Sequence, residues 1–203
     1  MGGMSILPLL HRRHACHSFQ PGGHIDRADL ETMLQAGRLS PSSFGLEQWH
    51  FVVCEGKADK AALQDACFNQ PQVGEAAAVV VILAKLADLH PDAAYARRLL
   101  QREYPGERFA EALEMYRGFH AMIDVPSWSI TQCHIAAANM MTAATTIDID
   151  SCPIGGFEPN RISEILGIDP QQYAVALLLA FGTCVEPVPE KQRLPLDELT
   201  TWR

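Results

Sequence analysis

The sequence predicts an α+β fold, with helices covering a central sheet of mixed or mostly antiparallel strands, on three observations. Residues 77–84 and 173–181 are apolar at both parities, the pattern of strands covered on both faces. Helical and strand-like stretches mix without strict βαβ alternation, which argues against a doubly wound parallel sheet. The 203 residues, 48% hydrophobic and 20% charged, can bury one core and would be cramped as two, so a single domain spanning 1–203 is expected.

The elements follow in order. Asp26 is a suitable N-cap, Ile25 and Leu30 have staple spacing, and Leu30, Met33, Leu34 and Gly37 share one helical face. Ser40-Pro41-Ser42-Ser43 ends that helix, because the residue before a proline is pushed out of the α region. The alternation Trp49, Phe51, Val53 predicts a strand, followed by a short helix near 58–67. After the buried strand 77–84 come two polar helical stretches, about 92–103 and 107–122. Residues 125–147 lack Asp, Glu, Lys and Arg, which raises a membrane span. Ser127, Ser129, Thr131, Gln132, His134 and Asn139 are too many polar groups for lipid, whereas Pro126 and the alanines suit a close-packed helix. A short strand and turn over 147–154, a helix from Pro159 to Leu166 stopped by Gly167, the strand 173–181 and an extended proline-bearing tail from Glu186 complete the chain.

Charge and cysteines bound the function. With 16 Lys+Arg against 24 Asp+Glu, the net charge of −8 argues against nucleic acid or an anionic membrane as main partner. Yet residues 1–25 contain no Asp or Glu, and Lys191-Gln192-Arg193 forms a second basic cluster. The apolar run 6–10 is too short for a signal peptide. Cys16, Cys54, Cys67, Cys133, Cys152 and Cys184 include no CxxC pair, so reduced thiols and a cytoplasmic location are expected.

Within the acid-free segment, His11, His14, Cys16 and His17 suggest a metal. On a helix, however, their spacing turns the third imidazole well off the face of the first, and Arg12 and Arg13 would repel a dication. An anion suits better, with Arg13 as a fork donor and His14 and His17 as further donors. No GxSxG, HExxH or Walker loop occurs, and Gly155-Gly156 is not a dinucleotide fingerprint. Chemistry borrowed from a cofactor is therefore expected, with no catalytic side chain.

In this order the motifs resemble the FMN-dependent nitroreductase family over nearly the whole chain. Arg13-His14-Ala15-Cys16-His17-Ser18-Phe19 is similar to the family's opening basic motif, whose residues hold the flavin phosphate. Ser40-Pro41-Ser42-Ser43-Phe44-Gly45-Leu46-Glu47-Gln48-Trp49 resembles the segment that reaches the flavin from the other subunit. Phe68-Asn69-Gln70 resembles the stretch whose Asn meets the pyrimidine edge, and Cys152-Pro153-Ile154-Gly155-Gly156-Phe157 the turn whose backbone lies near N5. Lys191-Gln192-Arg193-Leu194-Pro195 resembles the tail returning to the phosphate, Gln132 a flavin-facing Gln, and Tyr116 and Phe119 a helix covering the substrate.

The resemblance implies a homodimer with FMN at the interface and a tail extending over the partner subunit. It also implies FMN reduction by NADH or NADPH and ping-pong reduction of a nitroaromatic, quinone or similar acceptor. Ala15, His17, Gly45 and Glu47-Gln48 depart from the family pattern. These departures leave open a same-fold flavoprotein that dehalogenates or consumes reduced flavin, with a metal module at 11–17 as the rival from another class.

Overall fold

The computed structural model describes residues 6–203; the start of the acid-free segment, residues 1–5, lies outside the described residues. The helices are α1 (Leu7–Arg12), α2 (Arg27–Arg38), α3 (Lys57–Ala66), α4 (Pro71–Glu75), α5 (Ala94–Glu103), α6 (Arg108–His120), α7 (Val125–Thr146), α8 (Pro159–Leu166) and α9 (Leu196–Leu199). The strands are β1 (Trp49–Cys54), β2 (Ala78–Lys85), β3 (Asp150–Ile154) and β4 (Tyr173–Gly182), in sheet order β1-β2-β4-β3 with every pairing antiparallel.

Burial explains the central pair. Along β2, Ala78, Val80, Ile82 and Ala84 face one apolar cluster with α2 and α7, while Val79, Val81 and Leu83 face a second with α3 and α8. The period of two is that of a strand packed on both faces. In β4 the register slips opposite Ile82 and Leu83, so that Ala176 and Leu177 both pack with the first cluster. A third cluster joins Leu46 and Leu89 to α5 and α6.

The uncharged α7 is capped by Asp124, which accepts a hydrogen bond from the Ser127 N–H at 3.1 Å. Its polar groups find partners inside the protein: the Ser129 hydroxyl donates to the Lys85 carbonyl at 2.8 Å, and Thr142 to the Ala138 carbonyl. Among the described residues no helix is long and apolar enough to cross a membrane. Asp26 occupies the N-cap position of α2 without a side-chain cap, lying instead 3.5 Å from the His24 ring. The αL residue Gly167 ends α8 as expected.

Gly37 sets the spacing of α2 against α7. A Cβ there would lie 2.8 Å from Met140 Cγ and Sδ and 3.0 Å from Phe51 Cζ. Helix propensity alone would favour alanine by about 1 kcal/mol. Overpacking against the fully buried Met140 outweighs it, so Gly37→Ala is expected to destabilise by about 1–2 kcal/mol in chemical denaturation. A gain in stability would show that α7 yields freely.

Candidate functional site

The site begins where α1 stops. Arg12 anchors the helix end to Asp148 at 2.5 Å and to the Thr145 carbonyl. Arg13 then leaves the helix at ψ 122°, and the chain runs extended along the free edge of β3, with the Cys16 N–H donating to the Ser151 carbonyl at 3.1 Å. The tail after β4 returns to the same segment, where the Lys191 ammonium donates to the Arg13 carbonyl.

Between them lies a concavity of about 480 Å³, lined by Arg13, His14, Ala15 and His17 from the first segment and by Lys191 and Arg193 from the tail. A neighbouring hollow of about 310 Å³ shares Arg13, Lys191 and Arg193. Among the described residues none of these three cations forms an ion pair. Burial, then the nearby Arg13 and Arg193 charges, push the Lys191 ammonium below its ordinary pKa. His14 is buried, and its Nε2 lacks a hydrogen-bond partner among the described residues. Crowded cations beside an unpartnered ring nitrogen suit an anion.

The segment lacks carboxylates along the chain but not in space. Glu186 accepts from the His17 N–H at 3.2 Å, Glu75 from the Phe19 N–H at 3.1 Å, and Glu190 lines the concavity.

Strand β3 leads from this concavity to the glycine turn. Pro153, Gly155 and Gly156 are exposed, while the Ile154 side chain is buried in the core, so Ile154 can offer only its backbone. The Gln70 amide donates to the carbonyls of Cys67 at 2.9 Å and Gly156 at 2.8 Å, tying the 68–70 turn to the glycine pair. Phe68 and Asn69 both adopt left-handed φ, 56° and 57°, and present an exposed ring and an exposed amide without a side-chain partner among the described residues. A Cβ built on Gly156 would lie 3.5 Å from the Gln70 amide and 3.7 Å from the Phe68 ring, so this backbone already sits within van der Waals reach of both.

The loop carrying Pro41, Ser42, Ser43 and Gly45 lines a different hollow, with Arg38 and Glu103, so a single chain does not bring it onto the cationic concavity. Phe44, Gly45 and Glu47 take φ of 57°, 64° and 44°, and strain of about 1–3 kcal/mol for each non-glycine residue requires a firm framework. That framework is present. Ser43 N–H donates to Gln132 Oε1 at 3.0 Å, Glu47 N–H to the Ser42 hydroxyl at 3.0 Å, and the Lys85 ammonium and Tyr95 hydroxyl both donate to the Glu47 carbonyl at 3.0 Å. Gln132 thus positions the loop. The Glu47 carboxylate pairs with Arg102 at 2.8 Å.

Two expectations are corrected. Tyr116 is fully buried, its hydroxyl donating to the Leu89 carbonyl at 2.5 Å, so it is a core residue that cannot meet a substrate. Phe119 is half-buried against Phe44 and Trp128. The expectation of six reduced thiols also fails, because Cys16 and Cys184 form a disulfide. Burial of the bond on the inner side of the 13–19 segment explains what linear spacing of 168 residues conceals. Among the described residues His11, His14 and His17 do not gather into a metal-capable group; Cys16, Cys184 and Glu186 do lie close together, but the two sulfurs are joined in the disulfide and are not thiolate ligands.

Cys54, Cys67, Cys133 and Cys152 are free and buried. Burial raises all four thiols, Cys67 to about 11 and Cys133 to about 12. At pH 8 iodoacetamide is therefore expected to leave the native protein essentially unlabelled, with four sites appearing on denaturation and six after reduction as well. Mass spectrometry checks this, and rapid native labelling of any of the four would contradict their burial.

The Nitroreductase family model matches residues 10–183. A Staphylococcus haemolyticus protein named as an NAD(P)H nitroreductase is 32% identical over 98% of this chain and 97% of its own length. The structure is similar to a Bacillus subtilis protein titled as a nitroreductase, with TM-score 0.85 and 21% identity over 97% of this chain and 98% of that one. It is also similar to one from Exiguobacterium sibiricum solved in complex with FMN, with TM-score 0.82 and 21% identity over 100% and 99%.

Proposed function

Since the chain belongs to the nitroreductase family, we propose that it is a flavoprotein oxidoreductase. In this reading it uses NADH or NADPH to reduce a nitroaromatic, quinone or similar acceptor through bound FMN in a ping-pong cycle. The observation that carries the reading is the convergence on one concavity of Arg13, Lys191 and Arg193, which form no ion pair among the described residues, with His14, whose buried Nε2 has no partner among them, joined along β3 to the exposed glycine turn.

The residues present fit FMN. Arg13 offers its fork, and Lys191 and Arg193 offer charge, to the dianionic phosphate; His14 and His17 add ring donors, and Ala15 contributes backbone alone. The Asn69 amide and the backbone of Pro153, Ile154, Gly155 and Gly156 stand where a flat ring system can rest beside Phe68. When bound, FMN supplies the two-electron chemistry, which is why no general acid or nucleophile is required of the chain. The chain's own work is to hold the phosphate, orient the ring by amide and backbone donors, and keep water from the apolar face at Phe68.

A homodimer completes the site. Leu194, Leu196, Leu199 and Trp202 on the tail are 62% to 88% exposed, and Leu39, beside the Pro41–Gly45 loop, is 70% exposed. Apolar groups at this density suit a second copy of the chain, which would cover them and deliver Pro41, Ser42, Ser43 and Gly45 to the partner's ring, with Gln132 holding that loop.

The test is spectroscopic. The purified protein is expected to be a yellow dimer whose oxidised-flavin absorbance is bleached anaerobically by NADH or NADPH and restored by a nitroaromatic or quinone. A colourless protein with no affinity for added FMN would overturn the proposal. A bound flavin that neither nicotinamide reduces would overturn the reductase activity while leaving the cofactor in place.

A further inference from the structure

We infer that Cys16 and Cys184 form a thiol–disulfide site that locks the two halves of the phosphate clamp together, so that oxidation tightens FMN binding and reduction loosens it. The inference rests on the clamp described under the proposed function.

The bond joins two strategic points. Cys16 lies between Ala15 and His17, both in the lining of the cationic concavity. Cys184 begins the tail that reaches Lys191 seven residues later and Arg193 two beyond that. From Val185 to Pro195 the tail has no regular secondary structure. Its ties run back to the first segment: Val185 N–H donates to the Ser18 carbonyl at 3.1 Å, His17 N–H to Glu186 at 3.2 Å, and Lys191 to the Arg13 carbonyl. Those ties are partly exposed hydrogen bonds, each of modest net strength. The disulfide is the covalent tie at the base of the same arrangement. It limits how far three mutually repelling cations can move apart before an anion arrives.

Access favours exchange at one end. Cys16 has no exposed surface, whereas Cys184 is half-buried. A dithiol reductant attacks Cys184 Sγ as its thiolate, the Cys16–Cys184 bond breaks, and Cys16 departs as a thiolate that takes a proton. The reductant's second thiol then displaces Cys184, so two electrons and two protons pass to the pair and the reductant leaves as a disulfide. Hydrogen peroxide reverses the step: the two thiols lose two electrons and two protons as the S–S bond forms, and two molecules of water are released.

The experiment measures the FMN dissociation constant by flavin fluorescence quenching on the full-length apoprotein, air-oxidised and then reduced with dithiothreitol, beside Cys184→Ser and Cys16→Ser. Reduction is expected to weaken FMN about tenfold, because a pre-organised clamp becomes a looser one. Both variants should bind like the reduced protein and stop responding to dithiothreitol. Equal constants in the oxidised and reduced wild type would overturn the latch while leaving FMN binding intact. Six alkylatable thiols in the oxidised, denatured protein would also overturn it. Absence of FMN binding in every state would sink the proposed cofactor. The latch is then judged by hydrogen exchange over 183–193, which must quicken on reduction; unchanged exchange overturns it.

Discussion

Arg13→Ala is expected to weaken FMN binding by about 100-fold to 10,000-fold. A guanidinium fork makes two charge-assisted hydrogen bonds to a phosphate, each contributing roughly 1.5–3 kcal/mol, and about 1.4 kcal/mol corresponds to tenfold in affinity. Arg13→Lys keeps the charge and loses the fork, so about a tenfold loss is expected.

The fold should not suffer from either change. Arg13 forms no ion pair among the described residues, and its charge helps push the Lys191 ammonium below its ordinary pKa. The sign follows from linkage. A lysine whose folded pKa lies below its unfolded value is held charged at a cost at neutral pH, and that cost disappears only as pH rises above the unfolded value near 10.5. Removing Arg13 relieves part of it, so the Arg13→Ala apoprotein is expected to melt at or slightly above the wild-type temperature near pH 7. Isothermal titration with FMN and thermal denaturation of the apoprotein check the two halves. An FMN affinity within threefold of wild type would contradict the clamp, and a sharp loss of apoprotein stability would assign Arg13 a structural role instead.

Opening the Cys16–Cys184 bond is expected to lower the melting temperature of the apoprotein by about 10 °C. The bond closes a loop of 168 residues, for which chain entropy gives an upper value of about 5 kcal/mol, with roughly 2–5 kcal/mol usual for a native bond. For a chain of this size, each kcal/mol shifts the melting point by about 2–4 °C. The bridge between Phe19 and Cys184 forms only in the folded state and so leaves the unfolded ensemble free. Calorimetry with and without dithiothreitol reads the shift, and unchanged melting would mean that the pair does not constrain the unfolded chain.

Much of the fold was legible because it rests on local periodicity. The doubly apolar β2 and β4, the Leu30–Met33–Gly37 face of α2 and the Gly167 stop of α8 all appear where the pattern places them. The short α1, α4 and α9 were missed, being six, five and four residues long. At that length helices are held by their surroundings and carry little periodic signal. The site was legible in its charges and motifs more than in its packing. Arg13, Lys191 and Arg193 stand out as basic against an acidic chain, whereas the inward turn of Tyr116 depends on a third cluster assembled from four separate segments.

By itself, the sequence determined the α+β class, the family and the two basic segments, because periodicity, motif order and charge distribution are properties of neighbouring residues. Only the tertiary structure decided that those segments face one concavity together with His14, that Glu186 and Glu75 reach the acid-free segment, and that Cys16 meets Cys184. The physical reason is the antiparallel sheet. It lays β4 beside β3, whose free edge takes the 13–19 segment, so residues 168 apart in sequence become covalent neighbours.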